Sequence, residues 1–137
     1  MKKFKLDKLK EECGVFGISN HEDASALVAL GLHALQHRGQ EGCGISSFDG
    51  KQFYVEKRQG LVGDHFTNPN IIRKLPGSSA IGHNRYSTTG EVSLRNIQPF
   101  FADLYSSGVS LAHNGNLTNA IELRNNLVKD GAIFRTT

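Results

Sequence analysis

Cys13-Gly14-Val15-Phe16-Gly17-Ile18 is a short apolar run that ends on the polar Ser19-Asn20-His21. Its length and β-branched content predict a buried strand, so the core begins at Cys13. Downstream of the good N-cap type Asp23, the residues Ala24, Leu27, Val28, Gly31 and Leu35 repeat at helical spacing, with Ala26, Leu30 and Ala34 filling further positions. A largely buried helix is expected there. Gly44–Phe48 and Gln52–Lys57 flank Asp49-Gly50, a dipeptide whose tolerance of positive φ suits a two-residue hairpin turn. Ser79–Asn84 and Gly108–Ala112 read as further strands, each leading into a small polar loop. A second helix is expected from Thr118 or Asn119 to a stop at Gly131, with Glu122 at a capping-box position. A hairpin with no regular βαβ alternation predicts an α+β layered architecture.

Upstream of Cys13, residues 1–12 hold five lysines against Asp7, Glu11 and Glu12. The whole chain of 137 residues has 16 basic and 13 acidic side chains. Beyond the leader, charge is therefore nearly balanced, and no basic face remains to serve as a nucleic-acid footprint. No window reaches the roughly 18 apolar residues of a membrane span, and the leader lacks the apolar core of a secretion signal. A cytoplasmic protein without membrane or nucleic-acid partners is expected. Cys13 and Cys43 are too few for a four-thiolate zinc site or an iron–sulfur cluster. The six histidines lack close ligand spacing, so no metal and no cofactor is expected in this portion. With 38% hydrophobic residues, the chain has material for one core. No glycine-rich phosphate fingerprint follows a strand and opens a helix.

On pattern alone Cys13 is a small buried hydrophobe, the commoner fate of a free cysteine. The segment Glu12-Cys13-Gly14-Val15-Phe16-Gly17-Ile18, however, resembles the start of class II glutamine amidotransferases of the Ntn-hydrolase superfamily, in which a leader is removed to expose cysteine as residue one. Residues 1–12 would then be a propeptide, and 13–137 the N-terminal portion of the amidotransferase domain. The chemistry is coherent: an α-amino group with an ordinary pKa near about 7.7–8.0 accepts a proton at neutral pH and is attached to the nucleophile it activates.

Four more stretches resemble that family in the same order. His37-Arg38-Gly39-Gln40-Glu41 is similar to the H-R-G-Q-E of its amidophosphoribosyltransferase branch; taken alone it is an ordinary polar helix exit. Gly82-His83-Asn84-Arg85-Tyr86-Ser87-Thr88-Thr89-Gly90 resembles a loop whose arginine binds the α-carboxylate of glutamine and whose threonine helps hold it. A planar guanidinium suits a carboxylate because its donors engage both oxygens. Asn96-Ile97-Gln98-Pro99-Phe100 is similar to a further segment, to which a structural role is assigned. His113-Asn114-Gly115-Asn116-Leu117 resembles the loop that supplies the oxyanion hole.

The resemblance implies Cys13, Asn114 and Gly115 as catalytic residues and Arg85, Tyr86 and Thr88 as substrate-binding ones, Tyr86 gating the pocket or packing structurally. Cys43 stands where a small residue is usual, which implies a packed thiol. Glutamine is the implied substrate, and a missing phosphoribosyltransferase domain the implied acceptor of its ammonia, leading to phosphoribosylamine for purine synthesis; a full-length homo-oligomer is compatible with this. The implied fold is a four-layer αββα sandwich, truncated in its second half before the motif whose aspartate binds the α-ammonium. Two alternatives stay open: an inactive fragment or binding module of the family, and another class II enzyme such as glucosamine-6-phosphate synthase, which carries R-G-Y-D-S where this chain has Arg38-Gly39-Gln40-Glu41.

Overall fold

A computed structural model describes residues 13–86 and 93–134. The expected propeptide, residues 1–12, and Thr88 lie outside the described residues. Strand β1 (Gly14–Ile18) is followed by helix α1 (Ala24–Ala34), a 3-10 turn at Gln36–Arg38, and the hairpin β2 (Gly42–Phe48) and β3 (Phe53–Gln59). Two single-turn helices, α2 (Val62–His65) and α3 (Pro69–Ile72), lead to β4 (Ser79–Arg85). The hairpin β5 (Phe100–Asp103) and β6 (Gly108–Leu111) and helix α4 (Ala120–Lys129) complete the order.

The first four strands form an antiparallel sheet in the order β1-β4-β2-β3, and β5 and β6 form a second, two-stranded antiparallel one. Helix α1 packs on the larger sheet through Ala24, Val28, Ala29 and Leu32, which join Cys43, Ile45 and Ala80 in the core. Phe53 of the larger sheet meets Phe101 of the smaller one at 5.4 Å between ring centroids. Helix, sheet and sheet thus stack as three layers, and α4 follows with no buried residue. Among the described residues no helix is long and apolar enough to cross a membrane.

Three expectations change in detail. Helix α1 buries one face rather than most of its surface, Leu30 being 65% exposed. The β2–β3 turn has four residues rather than two. Phe48 pairs with Phe53, and the Asp49 carboxylate accepts from the main-chain N–H groups of Lys51 and Gln52 at 2.8 and 2.9 Å. That Asx-type arrangement stabilises the longer loop. Neither Asp23 nor Asn119 caps its helix through a side chain.

Candidate active site

Antiparallel register builds the site. Gly14 pairs with Asn84 and Val15 with His83, so Cys13 stands at the sheet end opposite Arg85. Gly42, which opens β2, pairs with the same Arg85. Three segments distant in sequence therefore converge where β1 begins and β4 ends.

The half-buried Cys13 sits against the main chain after β4. Its Sγ lies 3.4 Å from the N–H of Tyr86, which donates to it, and 3.5 Å from the Tyr86 carbonyl. The Tyr86 side chain itself is exposed, so the main chain, not the ring, meets the thiol. Two donors converge on the carbonyl oxygen of Cys13: Nε of Arg38 at 2.8 Å and Nδ2 of Asn114 at 3.3 Å. Cys13 itself has φ of 53°, in the left-handed region that a side chain disfavours by about 1–2 kcal/mol.

Asn114 belongs to a loop leaving β6. The N–H of His113 donates to Oε1 of Gln98 at 2.6 Å. Gly115 follows with φ of 146°, a conformation open to glycine and strained for a residue with a Cβ. Arg85 closes β4, and its Nη1 donates to the carbonyl of Asn96 at 2.8 Å. The structure thus brings Cys13, Asn114 and the Tyr86 main chain into contact, places Arg85 at the same sheet end, and sets Gly115 next to Asn114.

The two thiols differ electrostatically. Cys43 is fully buried in β2, and burial pushes its thiol up to about 12, with Asp64 adding to the rise and Arg58 opposing it. A thiol held protonated is no nucleophile at neutral pH. His83, buried in β4, is pushed down to about 4 by burial, with positive charge at Arg85 and His113 adding to the lowering. The main chain of His113 pulls the other way, although neither ring nitrogen reaches a partner at good hydrogen-bond geometry. His83 is a neutral packed side chain at pH 7.

The role of Arg38 at Cys13 was not assigned from sequence, where its motif separated branches of a family. Its contact crosses 25 residues, and the only signal was its place directly after α1. Among the described residues no three or more His, Cys, Asp or Glu side chains could hold a metal ion. An apolar cavity of about 640 Å³ between α1 and the α2–α3 segment includes none of these site residues in its lining.

Similarity to known proteins bears on this cluster. The family model for class-II glutamine amidotransferases matches residues 13–130, starting at Cys13. An amidophosphoribosyltransferase of Rhizobium etli is 63% identical over 131 residues, covering 96% of this chain and 26% of its own length. One of Bacillus subtilis is 48% identical over 130 residues, covering 94% and 27%. A solved structure of the allosteric regulatory enzyme of purine biosynthesis matches with a TM-score of 0.83 at 46% identity, over 89% of this chain and 26% of that one. The glutamine phosphoribosylpyrophosphate amidotransferase from B. subtilis, complexed with ADP and GMP, matches with a TM-score of 0.81 at 44% identity, over 90% and 26%. The chain spans about a quarter of the length of these relatives.

Proposed function

The chain belongs to the class-II glutamine amidotransferases, and from that premise we propose that it is the glutamine-hydrolysing portion of an amidophosphoribosyltransferase, with Cys13 as nucleophile. The observation that carries this reading is the meeting of Cys13 with the Asn114 amide, a nucleophile and a donor from opposite ends of the sequence at one end of one sheet.

In this reading residues 1–12 are removed, which turns the amide nitrogen of Cys13 into an amine able to take the thiol proton. Sulfur attacks the side-chain carbonyl carbon of glutamine; a C–S bond forms and the π electrons move to oxygen. The Asn114 side chain and the Gly115 N–H donate to that oxyanion. Collapse breaks the C–N bond, and the proton held by the α-amine leaves with ammonia. Water then attacks the thioester, breaks the C–S bond and returns a proton to sulfur, giving glutamate and free Cys13. Arg85 and Thr88 hold the amino acid, Arg85 through its α-carboxylate, and Tyr86 borders the pocket.

The ammonia passes to a phosphoribosyltransferase domain, where it displaces pyrophosphate from phosphoribosyl pyrophosphate to form phosphoribosylamine for purine synthesis. The setting is cytoplasmic, and the full-length enzyme is proposed as a homo-oligomer. The test is glutaminase activity of the full gene product: Cys13→Ala should abolish it and Cys43→Ala should leave it nearly intact. Equal loss in both variants would assign the thiols a structural role and overturn the reading.

A further inference from the structure

Asn96-Ile97-Gln98-Pro99 is the sequence motif to which the reaction above gives no part. The segment crosses β2 at the closest possible range. A Cβ on Gly44 would overlap the Gln98 carbonyl oxygen and stand 3.3 Å from the Pro99 ring, and one on Gly42 would lie 2.5 Å from Cδ1 of Ile97. Ile97 is fully buried. Two glycines of one strand thus give the segment its seat, and the buried isoleucine pins it there.

From that seat it makes two outward connections of opposite purpose. The carbonyl of Asn96 accepts from Nη1 of Arg85 at 2.8 Å, and the side-chain Oε1 of Gln98 accepts from the N–H of His113 at 2.6 Å. Asn114 follows His113 directly, and its amide stands 3.3 Å from the Cys13 carbonyl. The loop from His113 to Asn116 is exposed, so its direction depends on the bonds that tie it to the sheets, the one from His113 to Gln98 among them.

We propose that Gln98 is a positioning residue for amide hydrolysis: by holding the N–H of His113 it aims the Asn114 amide and the Gly115 N–H at the oxygen that becomes negative on the carbonyl attacked by Cys13. Because the same strap receives Arg85 at Asn96, it also sets the spacing between the group that holds the substrate carboxylate and the donors that meet the reacting carbonyl. This role rests on the glutaminase reading above. Donors of this kind act only within about 2.7–3.1 Å of the developing oxyanion, and a displacement of about 1 Å can cost on the order of 10²-fold in rate. An exposed N–H released from Gln98 finds water instead, so the loss falls on rate rather than on folding.

The test compares Gln98→Met, which keeps the length and removes the acceptor, with Gln98→Glu, which keeps an acceptor oxygen at the same reach, both in the full gene product. Gln98→Met should lower kcat for glutamine hydrolysis by about 10–100-fold with KM within about twofold, and Gln98→Glu should restore most of that rate. Alkylation of Cys13 by iodoacetamide, which develops no oxyanion, should proceed at the parent rate in both. A parent kcat in Gln98→Met, or a loss that Gln98→Glu fails to restore, overturns the proposal. Should Gln98→Met not fold, a Gln98→Glu variant that folds but turns over as slowly as Asn114→Ala overturns it equally. Cys13→Ala in the same assay separates the two levels: retained turnover there overturns the glutaminase reading, whereas lost turnover beside an unimpaired Gln98→Met overturns the Gln98 role alone.

Discussion

The Asn114 side-chain amide lies 3.3 Å from the carbonyl oxygen of Cys13, although 101 residues of chain separate the two. Strand β1 carries Cys13 to the sheet edge, and the loop after β6 brings Asn114 to it from the smaller sheet. Arg38 reaches the same oxygen from the 3-10 turn that follows α1. Each layer of the fold contributes a group to this one point. An amide donor of the kind that charge development on a substrate carbonyl requires thus stands beside the proposed nucleophile.

The mature protein should begin at Cys13. The chemistry needs a free α-amine there, and the left-handed φ of 53° at Cys13 ceases to be a constrained torsion once the Glu12–Cys13 bond is cut. Intact-mass measurement of the natively expressed full gene product should give a species lacking Met1–Glu12. An active preparation dominated by chains that keep the leader would exclude this.

Asn114→Ala and Arg85→Lys should split the kinetic constants in opposite ways. Loss of one oxyanion donor costs about 10²–10³ in kcat and leaves ground-state binding nearly unchanged. Lysine offers a point charge in place of a planar fork, so Arg85→Lys should act mainly by raising KM for glutamine. Steady-state assays decide it, and a KM effect at Asn114 with a pure kcat effect at Arg85 would reverse the assigned roles.

The elements visible in sequence were those with a clear period or clear punctuation: β1 from its apolar run, α1 from its helical spacing, β2 and β3 around Asp49-Gly50, and α4 up to Gly131. Strand β5 escaped because Phe100–Asp103 is half-buried only at its first residue and exposed after it, which leaves no alternation to read. Helices α2 and α3 have four residues each, too few for a 3.6-residue period. The Asx-type turn at Asp49 lengthened the hairpin loop because a carboxylate satisfied two N–H groups that a tighter turn leaves open. At the site, pattern alone makes Cys13 a packed thiol, Arg85 a solvated charge and Asn114-Gly115 a turn, and it is the resemblance of their motifs to a known family that implies Cys13, Arg85 and Asn114. The contacts of Arg38 with Cys13 and of Gln98 with His113 are fixed only by the packing of the sheets, which no local pattern encodes.

Native labelling should distinguish the two thiols. Cys13 is half-exposed and Cys43 fully buried with its thiol pushed up to about 12, so at pH 8 Cys43 has almost no thiolate to react. A maleimide should modify Cys13 in the native state and both residues after denaturation, as peptide mass mapping would reveal. Native modification of Cys43 at a rate comparable to that of Cys13 would contradict its buried placement.

Stability should fall on acidification through His83. Unfolded, this histidine takes a proton near pH 6.5; folded, it does so only at about 4, because burial disfavours the charged ring, with the Arg85 and His113 side chains adding to the effect and the His113 main chain opposing it. Between those values the unfolded chain binds more protons than the folded one, so stability rises with pH. The contribution is fully present above pH 6.5, is lost progressively on the way down to about pH 4, and is level below that. A shift from 6.5 to about 4 corresponds to roughly 3 kcal/mol over the whole window. His83→Leu fills similar space without a titrating group, and the four histidines that do not act on His83 are common to both proteins, so their effects cancel in the difference. Urea unfolding at pH 7, 6 and 5 should show the parent losing more stability than His83→Leu at each step down, by about 2 kcal/mol in total between pH 7 and 5. Parallel stability curves for the two proteins would mean that His83 is protonated as readily in the folded chain as in the unfolded one, and its place as a neutral packed side chain beside the Asn114 loop would be wrong.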